Sequence, residues 1–152
     1  MSTYILILQW AKRWAFAILL MAAIFCFSSI PGEQVGNADQ SVSNKIDAVM
    51  PMIRQVNIDW LKVGHMIGYA GLGLAFRHAF YASFRQRKEF WVAVAACAIY
   101  AISDEVHQAF IPGRSPQITD VCLDTLAATG MLAFQAWLLK KSKPQTENRE
   151  NS

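Results

Sequence analysis

A chain of 152 residues has room for one domain, and this one is 54% apolar and 12% aromatic with 16% charged residues, more apolar and less charged than the roughly 45–50% and 25% of soluble globular chains. The formal charge of +3 is small, and the basic residues flank apolar runs instead of forming a stripe interleaved with stacking aromatics, which argues against nucleic-acid binding. Cys26, Cys97 and Cys122 lie inside apolar stretches without short spacing, which argues against a disulfide framework or a zinc site and fits small apolar packers.

The mean hydropathy of +0.23 averages a segregated sequence, because residues 31–59 and 140–152 are polar and dilute the apolar runs. A helix needs about 17–20 apolar residues to cross the hydrocarbon core. Trp14–Ile30 is uncharged throughout and predicts the first span; Tyr4–Trp10 either continues that helix or lies along the interface. Lys12 and Arg13 before it imitate a signal peptide, but Ser28-Ser29-Ile30-Pro31-Gly32 supplies no small-x-small cleavage site, so the segment is expected to be retained. In the polar stretch 31–59, Ile46, Val49, Met50 and Ile53 recur at helical spacing and predict a short interfacial helix broken at Pro51. The second span is expected over 60–81, carrying Lys62, His65, Arg77 and His78 near its ends. The third starts at Phe90 and reaches spanning length only by continuing through Ser103-Asp104-Glu105-Val106-His107-Gln108 to about Phe110, before Pro112-Gly113 ends it. The fourth runs over 118–139, interrupted by Asp120 and Asp124. The expected organisation is a cytoplasmic segment 1–13, a membrane domain 14–139 and a polar cytoplasmic tail 140–152.

Orientation follows from the flanks. Lys12 and Arg13 precede the first span, Arg85, Arg87 and Lys88 lie between the second and third, and Lys140, Lys141 and Lys143 follow the fourth. The stretch 31–59 sets Lys45 and Arg54 against Glu33, Asp39, Asp47 and Asp59, and 103–117 has Arg114 as its one basic residue besides His107. Positive residues mark the cytoplasmic side, so the chain is expected to be a multi-pass protein of the cytoplasmic (inner) membrane, an all-α bundle of four transmembrane helices with both termini inside.

On that topology the polar residues gather in one leaflet. Ser28 and Ser29 end the first span at the outer face, while Lys62 and His65 begin the second there, with Tyr69 one turn deeper. Asp104, Glu105, His107 and Gln108 end the third, Arg114 sits in the turn, and Asp120 and Asp124 begin the fourth. His65 and Tyr69 share a helix face at i and i+4, as do Asp120 and Asp124, and Asp104 shares a face with His107 and Gln108. Ionisable groups at membrane depth face a bundle interior or an aqueous cavity, so a polar extracytoplasmic-side pocket between the second, third and fourth spans is expected. Gly64, Gly68 and Gly71 on the second span and Ala127, Gly130 and Ala133 on the fourth have the spacing of close helix packing.

Lys62-x-x-His65-x-x-x-Tyr69-x-x-Leu72-Gly73, then Ser103-Asp104-Glu105-x-His107-Gln108-x-Phe110-x-Pro112-Gly113-Arg114-Ser115, then Asp120-x-x-x-Asp124-Thr125 resemble the VanZ-like family of small polytopic membrane proteins. Ser28-Ser29-x-Pro31-Gly32 is similar to that family's first motif, and the resemblance spans about 28–130 with the motifs in order. The chain departs from it at Asp124, where the family usually has asparagine. The resemblance implies work on the bacterial cell envelope, since the family takes its name from an accessory factor in glycopeptide (teicoplanin) resistance.

Three functions fit these residues. In the first, the pocket binds an anionic lipid-linked or wall-precursor component through Lys62, His65, Tyr69, Asp104, Glu105, Gln108, Arg114, Asp120 and Asp124, with Arg114 and Lys62 suited to phosphate or carboxylate. In the second, the protein is an intramembrane hydrolase or transferase with Asp104 or Glu105 as general base, His65 or His107 as partner and Arg114 stabilising an anion; a metal variant would use Asp104, Glu105, His107 and Asp120. No established metal-ligand spacing, nucleophile elbow or paired-histidine zinc motif occurs, so no cofactor is expected and non-catalytic binding is preferred. In the third, the ionisable groups only fix helix register in a structural subunit. Polar groups confined to one leaflet give no path for a transporter.

Overall fold

The computed structural model describes residues 3–49, 59–81 and 86–142, which form helices α1 (Thr3–Ser28), α2 (Gly32–Val49), α3 (Trp60–Phe80), α4 (Gln86–Gln108) and α5 (Ile118–Lys141). Among the described residues, three helices are long and apolar enough to cross a membrane: Leu8–Ser28 and Lys88–Gln108, each of 21 residues, and Ile118–Lys141, of 24. At about 1.5 Å per residue each exceeds the roughly 30 Å hydrocarbon thickness. Their outer faces are apolar as well, with Leu19, Ile99 and Leu126 each about two-thirds exposed. Water would penalise such a surface; lipid does not, and helices satisfy their own backbone there.

Helix α3 is as long as two of these spans but is not among them, because Lys62, His65, Arg77 and His78 interrupt its apolar residues. Its position explains this: α3 is the central helix, packed against α1, α2, α4 and α5. Tyr69, Leu72, Ala75 and Phe76 of α3 form the core with Ala17 and Ile24 of α1, Ala93, Cys97 and Ala101 of α4, and Ala128 and Leu132 of α5. Small partners allow close approach. A Cβ added at Gly73 would lie 3.2 Å from the Ala128 Cβ and 3.3 Å from its carbonyl oxygen, so α3 and α5 pass backbone against side chain there. The small-residue expectation is corrected in this respect: Gly68 and Gly71 face Ile24 and Leu20 of α1, whereas Gly64 and Gly130 have open space where a side chain would be.

Side-chain bonds bring the helix ends together in two groups. The end of α1 meets the end of α4 through Ser28 and Asp104, and the start of α3 meets the start of α5 through Lys62 and Asp120. At the other end Arg77 of α3 donates from Nη1 to Gln135 Oε1 of α5 at 2.7 Å and lies 3.5 Å, through Nε, from Glu89 Oε1 of α4. Glu89 is fully buried, so Arg77, expected near the end of the second span, offsets a buried acid. Trp14 packs edge-on against Phe76 and Phe80 near the same end, at centroid distances of 6.2 and 5.1 Å.

Several expected boundaries move. α1 begins at Thr3, so Thr3–Trp10 continues the helix, and α4 begins at Gln86 and ends at Gln108. The short helix expected around Ile46 and Val49 is instead an 18-residue helix from Gly32 to Val49; Met50, Pro51 and Ile53 lie outside the described residues. Two tertiary anchors hold α2: Gly32 donates its N–H to the Pro112 carbonyl at 3.0 Å, and Asp39 Oδ1 accepts the Trp60 N–H at 2.9 Å.

Candidate functional site

The site is assembled by three junctions. Asp59 caps α3 by accepting the Lys62 backbone N–H at 2.9 Å, which satisfies an otherwise orphaned donor and starts the helix where Lys62 and His65 face α5. After α4, the turn through Pro112 closes at Gly113, whose φ of +74° suits a residue without Cβ. Glu105 then reaches forward, Oε2 accepting the Gln117 N–H at 2.8 Å immediately before α5 begins.

Above these junctions the α1–α2 corner clasps the α4–α5 turn. Arg114 donates from Nε to the carbonyl of Ile30, just past α1, at 3.1 Å and from Nη2 to the carbonyl of Phe27 in the last turn of α1 at 3.3 Å, where the Ile30 N–H also bonds at 3.2 Å. Gly32 and Gly113 touch backbone to backbone, and a Cβ at Gly32 would fall on the Gly113 carbonyl. Burial pushes the Arg114 pKa below its ordinary value, while the charges of Asp104, Glu105 and Asp59 push it up.

Beneath the clasp lies a cleft of about 80 Å³, room for a handful of water-sized groups. Its polar walls are Asp59, Lys62, His65, Glu105, Gln108, Arg114, Asp120 and Asp124; Val35, Leu61, Met66 and Leu123 supply apolar ones. Lys62 Nζ bonds Asp120 Oδ1 at 2.7 Å and reaches Gln117 Oε1 at 3.4 Å. His65 Nδ1 stands 3.9 Å from Asp104 Oδ2 and 3.9 Å from Asp124 Oδ2, too far for a hydrogen bond to either. Buried Asp104 accepts at Oδ2 from Ser28 Oγ at 2.8 Å and from Gln108 Nε2 at 3.4 Å, and Gln108 Nε2 also donates to Ser28 Oγ at 3.2 Å.

The structure therefore brings Lys62, His65, Glu105, Gln108, Arg114, Asp120 and Asp124 to one cleft, while Tyr69 and Asp104 sit behind its wall. His107 is the exception. Its ring stacks on Phe25 at 4.2 Å and Nε2 lies 3.0 Å from Ser29 Oγ, outside the cleft lining. Residues i+3 and i+4 fall on opposite sides of the face of residue i, about 100° apart, so Gln108 follows Asp104 inward and His107 turns toward α1. Ser29 Oγ lies 2.7 Å from the Phe25 carbonyl, to which it donates, and 3.0 Å from His107 Nε2, where the His107 tautomer sets which of the two donates. Among the described residues no group of three His, Cys, Asp or Glu side chains is placed to hold a metal ion, which removes support from the metal variant.

Sequence reasoning missed the part played by Ser28, which is fully buried and supplies the shortest hydrogen bond to Asp104. A hydroxyl at the end of an apolar run, in a chain with an acid awaiting a partner, was the available signal.

Fold and site together define an all-α membrane protein with a cluster of ionisable residues lining a cleft at one end of the bundle. The family model described as VanZ/LLP1 matches residues 13–139, and the chain belongs to that VanZ-like family. Comparison with curated proteins and with solved structures finds no match.

Proposed function

We propose that this protein spans the cytoplasmic membrane four times with both termini inside, and that its cleft opens on the extracytoplasmic side to bind an anionic lipid-linked or wall-precursor component of the cell envelope, the setting of teicoplanin resistance. Basic residues favour that orientation: Lys12 and Arg13, then Lys88, then Lys140 and Lys141 cluster at the end of the bundle opposite the cleft. α3 completes the four spans in this reading, its charges lying near its two ends and its flanks covered by the other helices.

One observation carries the binding role. Arg114 lines the cleft and, among the described residues, is paired with no carboxylate; it donates to two backbone carbonyls. A half-buried guanidinium held by two carbonyls and bonded to no carboxylate keeps further N–H donors in a planar fork for an anion, with the charges of Asp104, Glu105 and Asp59 near enough to favour its ionised form. Lys62 adds positive charge, though its ammonium already bonds Asp120.

Lipid retention tests this reading. The full chain purified in mild detergent should carry an anionic lipid or lipid-linked precursor, identified by mass spectrometry. Arg114→Gln, whose amide nitrogen falls near the place of Nε and can keep the bond to the Ile30 carbonyl but bears no charge, should lose it. Equal retention by the wild type and Arg114→Gln would refute the role of Arg114.

A further inference from the structure

We propose that the head group bound in this cleft is zwitterionic, carrying a primary ammonium that binds Asp124 beside the anionic group that binds Arg114. The inference rests on the anion-binding function proposed above and adds a second recognition element to it.

Lys62 and Asp120 neutralise each other at 2.7 Å. Asp59 and Glu105 each accept a backbone N–H, which satisfies an oxygen but leaves the charge in place, so the cleft holds more carboxylates than cations. Among the described residues, two of its groups have no charged partner and no bonded oppositely charged atom. Arg114 has backbone carbonyls but no carboxylate, and Asp124, only 5% exposed, lines the cleft and accepts no hydrogen bond among the described residues. Its nearest cationic candidate, His65 Nδ1, is 3.9 Å away, and the other ring nitrogen, Nε2, is buried with no hydrogen-bond partner. Arg114 and Asp124 are not paired with one another either.

A buried carboxylate without a donor is costly, and removing a guanidinium from water without an anion is costly too. A ligand with a single negative charge would relieve Arg114 and leave Asp124 repelling it. A ligand with both signs relieves both groups in one cleft. A primary ammonium suits Asp124 because it supplies N–H donors as well as charge, and the His65 ring stands beside it as a further polar contact. The cleft is too small for acyl chains, so recognition falls on a compact head group. An aminophospholipid head and the amino end of a short peptide share this chemistry.

Native mass spectrometry of the full chain in mild detergent distinguishes these cases, using phosphatidylethanolamine, phosphatidylglycerol, phosphatidylcholine and the soluble zwitterion alanyl-alanine as probes. The wild type should prefer phosphatidylethanolamine over both other lipids, or bind alanyl-alanine, and Asp124→Asn should weaken that binding by about ten- to a hundredfold, the loss of one charge-assisted hydrogen bond. Preference for the lipid assigns a lipid head group; binding of the dipeptide with the same dependence on Asp124 assigns a peptide amine. Equal binding of phosphatidylethanolamine and phosphatidylglycerol, unchanged in Asp124→Asn and without dipeptide binding, would overturn the ammonium site while leaving anion binding through Arg114 in place. Failure of every probe to bind would overturn both. A wild-type preference for phosphatidylcholine over phosphatidylethanolamine would overturn the requirement for N–H donors.

Discussion

Replacing Gly32 with alanine should open the clasp that roofs the cleft. The added Cβ would fall on the Gly113 carbonyl, a backbone atom in a turn that a flexible side chain cannot vacate. Relief requires the α1–α2 corner to move off the α4–α5 turn, which breaks the 3.0 Å bond from Gly32 N–H to the Pro112 carbonyl. Overpacking costs about 1–3 kcal/mol and the lost hydrogen bond about 1 kcal/mol, so the variant should be destabilised by about 2–4 kcal/mol. For a chain of this size each kcal/mol moves the melting temperature by about 2–4 °C, giving a fall of roughly 5–15 °C in a detergent thermal-unfolding assay. Gly64→Ala is the matched control, since its Cβ would meet open space inside α3, and it should be neutral or stabilising by up to about 1 kcal/mol. If Gly32→Ala melts with the wild type, the contact between the two glycines does not hold the clasp and the reasoning fails.

At the opposite end, Arg77→Met should cost about 3–5 kcal/mol, because it strands the fully buried Glu89 carboxylate, and the double variant Arg77→Met/Glu89→Leu should recover most of that loss in the same melting assay. A double variant as unstable as the single one would show that the pair itself is not the cause. Ser28→Ala should destabilise the protein by about 1–3 kcal/mol by removing the hydroxyl that donates to buried Asp104, with a smaller loss for Ser29→Ala, whose hydroxyl bonds the Phe25 carbonyl and the half-buried His107 ring. Equal effects of the two serine substitutions would contradict the assignment of Ser28 to the site.

The long helices were legible because an apolar run such as Trp14–Ile30, or 118–139 with its two aspartates, has few alternatives, and α3 and α5 begin at Trp60 and Ile118. Helix α2 was not legible over its length. Gly32, Gly36, Asn37, Asp39, Ser41, Ser43 and Asn44 are poor helix formers, and bonds to Pro112 and Trp60, remote in sequence, hold them helical. Within the site, Lys62, His65, Glu105, Gln108, Asp120 and Asp124, which the sequence places near helix ends, line one cleft in the structure. Spacing alone misdirected His107, where a difference of one residue decides between two sides of α4. Nor does sequence tell a free cation from a spent one: Lys62 is paired with Asp120 and Arg114 anchors two carbonyls, facts that follow from the meeting of helix ends.

The central claim is that the polar end of the bundle faces outward and the termini inward. Impermeant maleimide labelling of intact cells tests it, with Cys26, Cys97 and Cys122 first replaced by alanine and single cysteines then placed at the exposed positions Ser115 and Ser142. The account predicts that Ser115→Cys is labelled from outside, whereas Ser142→Cys reacts only after the membrane is opened. Labelling of both positions from the same side would contradict it.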